Sequence, residues 1–250
     1  MALVCVEPLT QTAQLQAEEL AKQWNVPLSS DFKGNEGVKV VVSDLAIGLG
    51  FVDRVRGKPF HVDFLTAAWR TRLKNGLPKT HIFRRALGVK EVPLRVVDAT
   101  TGFGQDAVMA LCLGCEVIAV ERSNVVVTVL RNGVTRAMRE DEAVRPIFAN
   151  LSVVEAESTV FLRQVDQVDV VYLDPMFDKP KKSAKSPKEM QLLQELLVGD
   201  ENEKLLFEIA MAVAKQRVVV KRPLKARALG STPTHTFKGQ SIRYDVYVKS

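Results

Sequence analysis

Residues 98–106 read Asp-Ala-Thr-Thr-Gly-Phe-Gly-Gln-Asp, and they connect an apolar run that ends at Val97 to a helix expected from about Asp106 to Leu113. Glycine lets the backbone turn tightly and approach a ligand closely. A strand followed by such a turn and a helix begins the α/β folds that bind nucleotides. Any turn between a strand and a helix can use glycine. This turn alone therefore does not indicate a nucleotide site, and motifs elsewhere in the chain are needed as evidence.

The chain beyond this turn continues to alternate between strands and helices. Further strands are predicted at residues 117–120, 151–154, 168–173 and 217–220. Helices are expected after Asn124, which is predicted to cap the first of them, around the leucines at 192–197 and over 203–215, and a hairpin is expected at 235–237 and 244–248. This alternation predicts an α/β, Rossmann-like fold with a mainly parallel, doubly wound sheet and a C-terminal antiparallel hairpin.

The first 90 residues follow a different pattern. The spacing of apolar residues predicts a helix around 13–24 and a small antiparallel pair of strands at 38–42 and 50–55. It also predicts a helix over 62–74 with Phe64, Leu65, Ala68 and Trp69 facing inward. We therefore expect two domains. Residues 1–90 form a small α+β subdomain that assists binding of the partner, and residues 91–250 form the α/β domain that carries the site.

The composition is that of a folded protein, with 46% hydrophobic and 26% charged residues. No apolar run approaches the ~20 residues that a membrane span needs, so no membrane partner is expected. The chain starts without a basic leader, which favours a cytoplasmic location. Cys112 and Cys115 lack a second pair of ligands at a useful spacing, so we interpret them as structural thiols and expect no metal. The sequence does not decide the oligomeric state.

Basic residues are concentrated in two segments of a chain whose net charge is +6. The first segment holds Arg54, Arg56, Lys58, Arg70, Arg72, Lys74, Lys79, Arg84, Arg85, Lys90 and Arg95, and the second holds Lys179, Lys181, Lys182, Lys185 and Lys188. Since such segments flank the motif described next, they favour contact with the phosphates of a nucleic acid over plain solvated surface.

Acidic residues stand at the ends of two further predicted strands. Glu121 ends the second strand of the α/β pattern, where a carboxylate can accept both ribose hydroxyls of an adenosine-containing ligand. Asp174-Pro175-Met176-Phe177 follows the most apolar strand and resembles the (Asp/Asn/Ser)-Pro-Pro-aromatic signature of amino-methyltransferases. Lys221 ends the last parallel strand at the same edge, either as a phosphate ligand or as an exposed strand end.

The residue types of this motif suit methylation of an exocyclic base amine. Such a nitrogen is a poor nucleophile because its lone pair is delocalised into the ring. The Asp174 carboxylate and a carbonyl of the Pro175 peptide can accept its N–H groups and stabilise the positive charge that develops during attack. Phe177 can stack on the base and align it. We therefore take Asp174, Pro175, Met176 and Phe177 as the candidate catalytic residues.

Taken with these motifs, the chain resembles the bacterial small-subunit ribosomal RNA guanine-N2 methyltransferase J family, whose members are class I S-adenosylmethionine-dependent methyltransferases. The matching stretches lie at residues 97–107, 121–122, 171–177, 182–190, 218–223 and 238–245, and upstream at 62–64 and 86–90, whereas the first fifty residues match only loosely. The resemblance implies transfer of a methyl group to the N2 amine of a guanosine near the 3′ end of 16S ribosomal RNA, alone or in the small ribosomal subunit.

The resemblance and the strand-end argument together give a set of candidate cofactor-binding residues. They are Asp98, Thr100, Gly102, Gly104, Gln105, Asp106, Glu121, Arg122, Glu157, Ser158 and Asp174. The chain departs from the family pattern at two of them. The family has Arg where Gln105 stands and a pair of serines where Glu157-Ser158 stands.

The residues alone leave other functions open. The same motif serves N6-adenine and N4-cytosine methyltransferases acting on RNA or DNA. A nucleic-acid-binding protein that kept the fold without catalysis would bind RNA and no S-adenosylmethionine. A nicotinamide dehydrogenase would need a catalytic acid or base beside the glycine turn, and none is evident.

Overall fold

Strands and helices alternate along most of the chain. The computed structural model describes residues 3–53, 57–90, 93–175, 187–197 and 202–249. Its strands are β1 (Leu3–Pro8), β2 (Val38–Val42), β3 (Ile47–Phe51), β4 (Arg95–Asp98), β5 (Glu116–Glu121), β6 (Leu151–Glu155), β7 (Val168–Leu173), β8 (Ala214–Pro223), β9 (His235–Lys238) and β10 (Ile242–Val248). Its helices are α1 (Gln14–Trp24), α2 (Ala67–Asn75), α3 (Ile82–Leu87), α4 (Gln105–Leu111), α5 (Asn124–Glu140), α6 (Arg145–Phe148), α7 (Ser158–Gln164), α8 (Lys188–Leu196) and α9 (Glu203–Val213).

These elements pack into two compact units, each made of separate stretches of chain. The first unit comprises residues 1–64, 123–140 and 176–199, and the second comprises 65–122, 141–175 and 200–250. The units are defined by which residues pack together, so they do not test where one domain ends along the sequence and the next begins. The division into domains at residue 90 stays a prediction.

The described part of the second unit contains a seven-stranded sheet in the order β6-β5-β4-β7-β8-β10-β9. Neighbouring strands from β6 to β8 are parallel, whereas β10 runs antiparallel to β8 and β9 runs antiparallel to β10. The chain moves outward from β4 through β5 to β6 and then returns to β7 on the other side of β4. The predicted α/β fold with its terminal hairpin is therefore confirmed.

The core of the second unit consists of the central strands and the helices that cover them. Val97 of β4, Val171 of β7 and Val218 of β8 are all fully buried in one apolar cluster with Leu162 of α7 and Leu206 of α9. Parallel strands are usually covered on both faces, which explains why these strands read as unbroken apolar runs. Burial of these runs fixes the register of the sheet and hence the positions of the polar residues at the strand ends.

The described part of the first unit contains a three-stranded sheet in the order β1-β2-β3. Strand β1 pairs parallel to β2, and β3 pairs antiparallel to it. Helix α1 packs on β1 and β2, α5 packs on β3, and α8 packs on β2 and β3. The antiparallel pair was predicted, but β1 was not.

Strand β3 differs from the prediction in its position. It spans Ile47–Phe51, so Gly48 and Gly50 lie inside the strand and do not separate two strands as expected. A residue larger than glycine does not fit at position 48, because its Cβ would lie only 2.6 Å from the ring of His61 and from the carbonyl of Phe60. Close approach of neighbouring chain is one reason for glycine within a strand.

Two helix starts also differ from the prediction. Helix α2 begins at Ala67 and not at residue 62, because the Thr66 side chain accepts a hydrogen bond from Trp69 N and caps the helix there. Ala68 is exposed, so the expectation that it faces inward was wrong. Ser123, not Asn124, supplies the side-chain acceptor at the start of α5, at 3.4 Å from Val126 N. In the described ranges, no helix has the length and apolar character needed to cross a bilayer.

Candidate active site

Three acidic residues lie at the carboxyl ends of parallel strands in the second unit. Strand β4 ends at Asp98, β5 ends at Glu121, and Asp174 directly follows β7. Because these strands are parallel neighbours, their carboxyl ends meet at one edge of the sheet. The strand order reverses between β4 and β7, which is the position where open α/β sheets bind their ligands.

The glycine turn between β4 and α4 is held against the end of β5. Gly102 and Gly104 have φ angles of 55° and 80°, a left-handed conformation that favours glycine. Gly102 N donates a hydrogen bond to Glu121 Oε2 at 3.1 Å, and the Glu121 side chain is buried. The turn and the carboxylate predicted to hold a ribose are therefore fixed next to each other.

Asp98 is the most deeply buried of the three acidic residues, with 2% of its surface exposed. Its Oδ1 accepts a hydrogen bond from Thr100 N at 3.2 Å, and its backbone carbonyl accepts one from Thr101 Oγ1 at 2.9 Å. Burial raises the pKa of the Asp98 carboxyl well above its usual range, and the neighbouring charge of Asp106 acts in the same direction.

Asp174 is partly exposed and is held from two sides. Its backbone N–H donates to Thr100 Oγ1 at 2.6 Å, and its Oδ2 lies 2.9 Å from Lys221 Nζ. About a third of its side chain is exposed (35%), so solvent reaches the carboxylate. Pro175 is buried. Met176 and Phe177, the other two candidate catalytic residues, lie outside the described residues.

Lys221 joins the two sides of this cluster. Its ammonium lies 2.8 Å from Asp106 Oδ2 as well as 2.9 Å from Asp174 Oδ2, and Asp106 Oδ2 also accepts a hydrogen bond from Tyr172 OH at 2.7 Å. Burial by itself would lower the pKa of Lys221, but the charges of Asp106 and Asp174 outweigh burial and raise this pKa above its usual range. Lys221 therefore stays charged, and it contacts carboxylates in the described structure.

The remaining candidate cofactor residues have different surroundings. Gln105 is exposed at the first position of α4, and Arg122 is half-buried after β5. Glu157 is exposed at the start of α7, where its side chain makes no capping hydrogen bond. Ser158 is buried and its hydroxyl donates to the carbonyl of Ala99. Contacts of all four with a cofactor stay predictions.

Reasoning from the sequence missed Tyr172 and the ion pairs of Lys221. The register of the sheet explains both, because Leu173 pairs with Val220 and the next residues along the two strands are Asp174 and Lys221. Tyr172 pairs with Asp98 on the other side. A tyrosine inside an apolar strand, which needs a partner for its hydroxyl, is the signal that could have been noticed.

Comparison with known proteins identifies the family. A family model for SAM-dependent methyltransferases matches residues 19–249. Ribosomal RNA small subunit methyltransferase J of Thioalkalivibrio sulfidiphilus is 36% identical over 238 residues, which cover 93% of this chain and 92% of the relative. The enzyme of that name from Photobacterium profundum is 37% identical over 258 residues, covering 100% of this chain and 98% of the relative.

The chain belongs to the ribosomal RNA small subunit methyltransferase J family. A solved structure agrees with this assignment. The SAM-dependent methyltransferase of Neisseria gonorrhoeae superposes with a TM-score of 0.67 at 26% sequence identity, covering 97% of this chain and 95% of the other. The resemblance drawn from the sequence motifs is thereby confirmed. The chain is an S-adenosylmethionine-dependent methyltransferase.

The residues present at the carboxyl edge fit the cofactor of the methyltransferase J family. S-adenosylmethionine carries positive charge on its sulfur and its amino group. Near the ammonium of Lys221, the edge offers the acidic side chains of Asp98, Asp106 and Asp174, which can favour a cationic ligand. Gly102 and Gly104 add a turn with no side chains, which lets a ligand approach the backbone.

In the described ranges of this methyltransferase J family member, no group of three His, Cys, Asp or Glu side chains is arranged to hold a metal ion. Burial raises the pKa of Cys112 and of Cys115 to about 11, so both remain protonated thiols near neutral pH. Their interpretation as structural residues stays a prediction.

Proposed function

We propose that this chain transfers one methyl group from S-adenosylmethionine to the N2 amine of a guanosine near the 3′ end of 16S ribosomal RNA. The names of its relatives support a substrate in the small ribosomal subunit. The observation that carries the proposal is the position of Asp174. Its carboxylate follows the central strand β7, is partly exposed, and is fixed by Thr100 and Lys221.

Asp174 acts on the acceptor amine in this proposal. Its carboxylate accepts an N–H hydrogen bond from the guanine amine and favours the pyramidal nitrogen that attacks a methyl group. Positive charge develops on that nitrogen during attack, and a fixed carboxylate stabilises it without reorganising. A carbonyl of the Pro175 peptide accepts the second N–H. Phe177 is proposed to stack on the base and Met176 to line the site, although both lie outside the described residues.

The cofactor is proposed to bind at the turn after β4. Glu121 accepts the ribose hydroxyls, and Gly102 and Gly104 admit the ligand to the backbone. When bound, the cofactor supplies the electrophilic methyl group. The other proposed contacts are with Asp98, Thr100, Gln105, Asp106, Arg122, Glu157, Ser158 and Asp174. The carboxylates among them favour the cationic ligand over its product, which has lost the sulfonium charge.

The RNA is proposed to cross the sheet edge next to Asp174. Lys221 pairs with Tyr244, and Tyr244 pairs with Phe237, so Phe237 lies two strands or about 10 Å from the backbone of Lys221. The guanidinium of Arg85 lies 4.7 Å from the centre of the Phe237 ring. Arginine on an aromatic face offers both a charge for phosphate and a surface for an unstacked base.

The proposal is tested with small subunits and 16S RNA from cells that lack this methylation. We expect the purified protein to transfer radiolabelled methyl groups to one of them, and nucleoside digestion with mass analysis to identify N2-methylguanosine. N6-methyladenosine or N4-methylcytidine would assign the chain to the alternative class of amino-methyltransferase. Binding of RNA without measurable affinity for S-adenosylmethionine would instead support a non-catalytic protein.

A pair of variants tests the role of Asp174 in the same assay. Asp174→Ala is expected to lower the rate at least about a hundredfold, because the fixed acceptor for the amine is lost. Asp166→Ala is the control, since Asp166 is exposed just before β7. Full turnover by Asp174→Ala would remove the carboxylate from the mechanism, whatever base is modified.

A further inference from the structure

A lysine that connects two carboxylates lies at the centre of the candidate active site. Lys221 Nζ is 2.8 Å from Asp106 Oδ2 and 2.9 Å from Asp174 Oδ2. Asp106 follows the glycine turn, on the side proposed for the cofactor, whereas Asp174 lies on the side proposed for the base. One ammonium thus contacts a carboxylate on the side proposed for the cofactor and a carboxylate on the side proposed for the base.

The surroundings of Lys221 fix where its ammonium can lie. The β8 backbone places it between Asp174 of the neighbouring β7 edge and Tyr244 of β10. A quarter of its side chain is exposed (25%), and Asp106 is additionally held by Tyr172 OH. Phe83 of α3 packs against the rings of Tyr172 and Tyr244, each with a centroid separation of 5.5 Å. These contacts leave the ammonium little freedom to move away from the two carboxylates.

We infer that Lys221 is a positioning residue, which holds the Asp174 carboxylate in place and keeps it ionised so that it accepts a hydrogen bond from the base amine. This inference rests on the proposed function. Lys221 acts through Asp174 and touches no reacting atom. The bridge to Asp106 also ties the orientation of Asp174 to the turn where the cofactor is proposed to bind.

The charges around Asp174 make such a lysine necessary. Asp98 at the end of β4 and Asp106 of α4 are acidic, and the hydroxyls of Tyr172 and Tyr244 face the same cluster from β7 and β10. Nearby negative charges favour protonation of a carboxylate. A protonated Asp174 would present a donor where the amine needs an acceptor. Lys221 is a cation within the described cluster that opposes this protonation.

Without the ammonium at 2.9 Å, Asp174 takes up a proton at higher pH. Because methyl transfer requires the ionised carboxylate, the acid limb of the plot of kcat/KM against pH then moves upward. A residue that only supports the fold would lower stability and leave this limb where it was.

The experiment compares Lys221→Met, Lys221→Arg and Lys215→Met with the wild type. Lys215 is the matched control because it is exposed at the opposite end of the same strand. The titration midpoint of Asp174 is measured by carboxyl carbon NMR, with the resonance assigned by its absence in Asp174→Asn. We expect it to rise by at least about one pH unit, a tenfold change in acidity, in Lys221→Met. Lys221→Arg should restore most of the shift, and Lys215→Met should show none.

Kinetics on ribosomal RNA supply the second readout. For Lys221→Met we expect kcat to fall about tenfold or more, with a KM for RNA close to that of the wild type and an acid limb moved upward. Identical titration midpoints in wild type and Lys221→Met would overturn the inference. If wild-type protein methylated no ribosomal RNA, the proposed function would fail, while the NMR titration would still decide what Lys221 does to Asp174.

Folding of the variants is checked by thermal unfolding. Lys221→Gln is the second uncharged variant, since its amide can keep one hydrogen bond to a carboxylate. If both uncharged variants failed to fold while Lys215→Met folded, Lys221 would be a structural residue and the positioning role would be lost.

Discussion

Gly102 and Gly104 adopt left-handed backbone conformations in the turn between β4 and α4. A residue with a Cβ is strained in that conformation, by about 1–2 kcal/mol. Strain of this size is tolerable for the fold, so conformation alone does not reveal whether a glycine serves the fold or the ligand. The chain contains a natural comparison, because Gly114 after α4 has nearly the same φ angle, 79° against 80° at Gly104.

Substitution of these two glycines should separate strain from binding. Gly104→Ala and Gly114→Ala are both expected to lose about 1–2 kcal/mol of unfolding free energy, measured in urea. A Cβ at Gly114 would have no neighbour within 4 Å, so nothing besides strain should follow there. Only Gly104→Ala is expected to weaken binding of S-adenosylmethionine, by about tenfold in calorimetry. Equal affinities in the two variants would place the ligand elsewhere.

Asp98 should make the stability of the protein depend on pH. Burial raises the pKa of its carboxyl well above the value of about 3.9 in an unfolded chain, so the folded state binds the extra proton between these two values. Stability is therefore expected to fall as pH rises from about 4 through that window, by up to about 1.4 kcal/mol per pH unit.

Asp98→Asn should remove this dependence, since an amide keeps an acceptor for Thr100 N and carries no charge. We expect urea unfolding at several pH values to favour the variant over the wild type increasingly as pH rises. Asp166→Asn, at an exposed position, is the control. Parallel stability curves for Asp98→Asn and the wild type would contradict the burial argument.

Single residues were predictable where one strand suffices to locate them. Asp98, Glu121 and Asp174 each follow an apolar run, and the carboxyl end of such a run is visible in the sequence. The contacts of Lys221 and Tyr172 were not predictable, because they depend on which residue of the next strand lies alongside. That register is set by burial of the whole sheet and by no local pattern.

Strand β10 contributes a buried ion pair that holds the chain after β8. Arg243 makes two hydrogen bonds with Asp245, each 2.9 Å long, and donates to the carbonyls of Pro223, Leu224 and Ala226. The two side chains are only 11% and 1% exposed. A buried charge that loses its partner is costly, so this pair should matter for stability.

We expect Arg243→Met to lower the unfolding free energy by about 3–5 kcal/mol, because the Asp245 carboxylate is left buried without its cation. The double variant with Asp245→Asn should recover part of this loss. Arg145→Met is the control, since Arg145 lies 3.4 Å from an exposed Glu142 and such surface pairs contribute less than about 1 kcal/mol. Urea unfolding measures all three, and a single variant no worse than the control would disprove the role of the pair.

The elements of the second unit were predicted more closely than those of the first. The alternation of strands and helices is visible in the sequence, and strands β4 to β8 were predicted within a few residues of their observed positions. In the first unit, β1 was missed and β3 begins before the predicted run. In the sequence, Gly48 resembles a break between strands. It lies inside β3, where the nearby His61 ring leaves no room for a larger side chain.

The whole molecule carries a net charge of +6, and the proposed partner is a polyanion. Arg85→Glu, on the surface beside Phe237, is expected to weaken RNA binding and to reduce the slope of log affinity against log salt by about one. Lys22→Glu changes the net charge equally at an exposed site on α1 and is the control. The measurement is filter binding over a range of salt. Equal slopes for both variants would remove this surface from the RNA path.

The division of each unit among separate stretches of chain has a consequence for biosynthesis. Strands β1–β3 leave the ribosome early, but α5, which packs on β3, is translated only after residues 65–122 of the other unit. Helix α8, which packs on β2 and β3, is translated only after residues 141–175 as well. The nascent sheet therefore waits with an uncovered apolar face while most of the polypeptide is still being made. An incompletely covered nascent sheet is a substrate for chaperones and proteases, so production of this enzyme should depend strongly on the chaperone supply of its host.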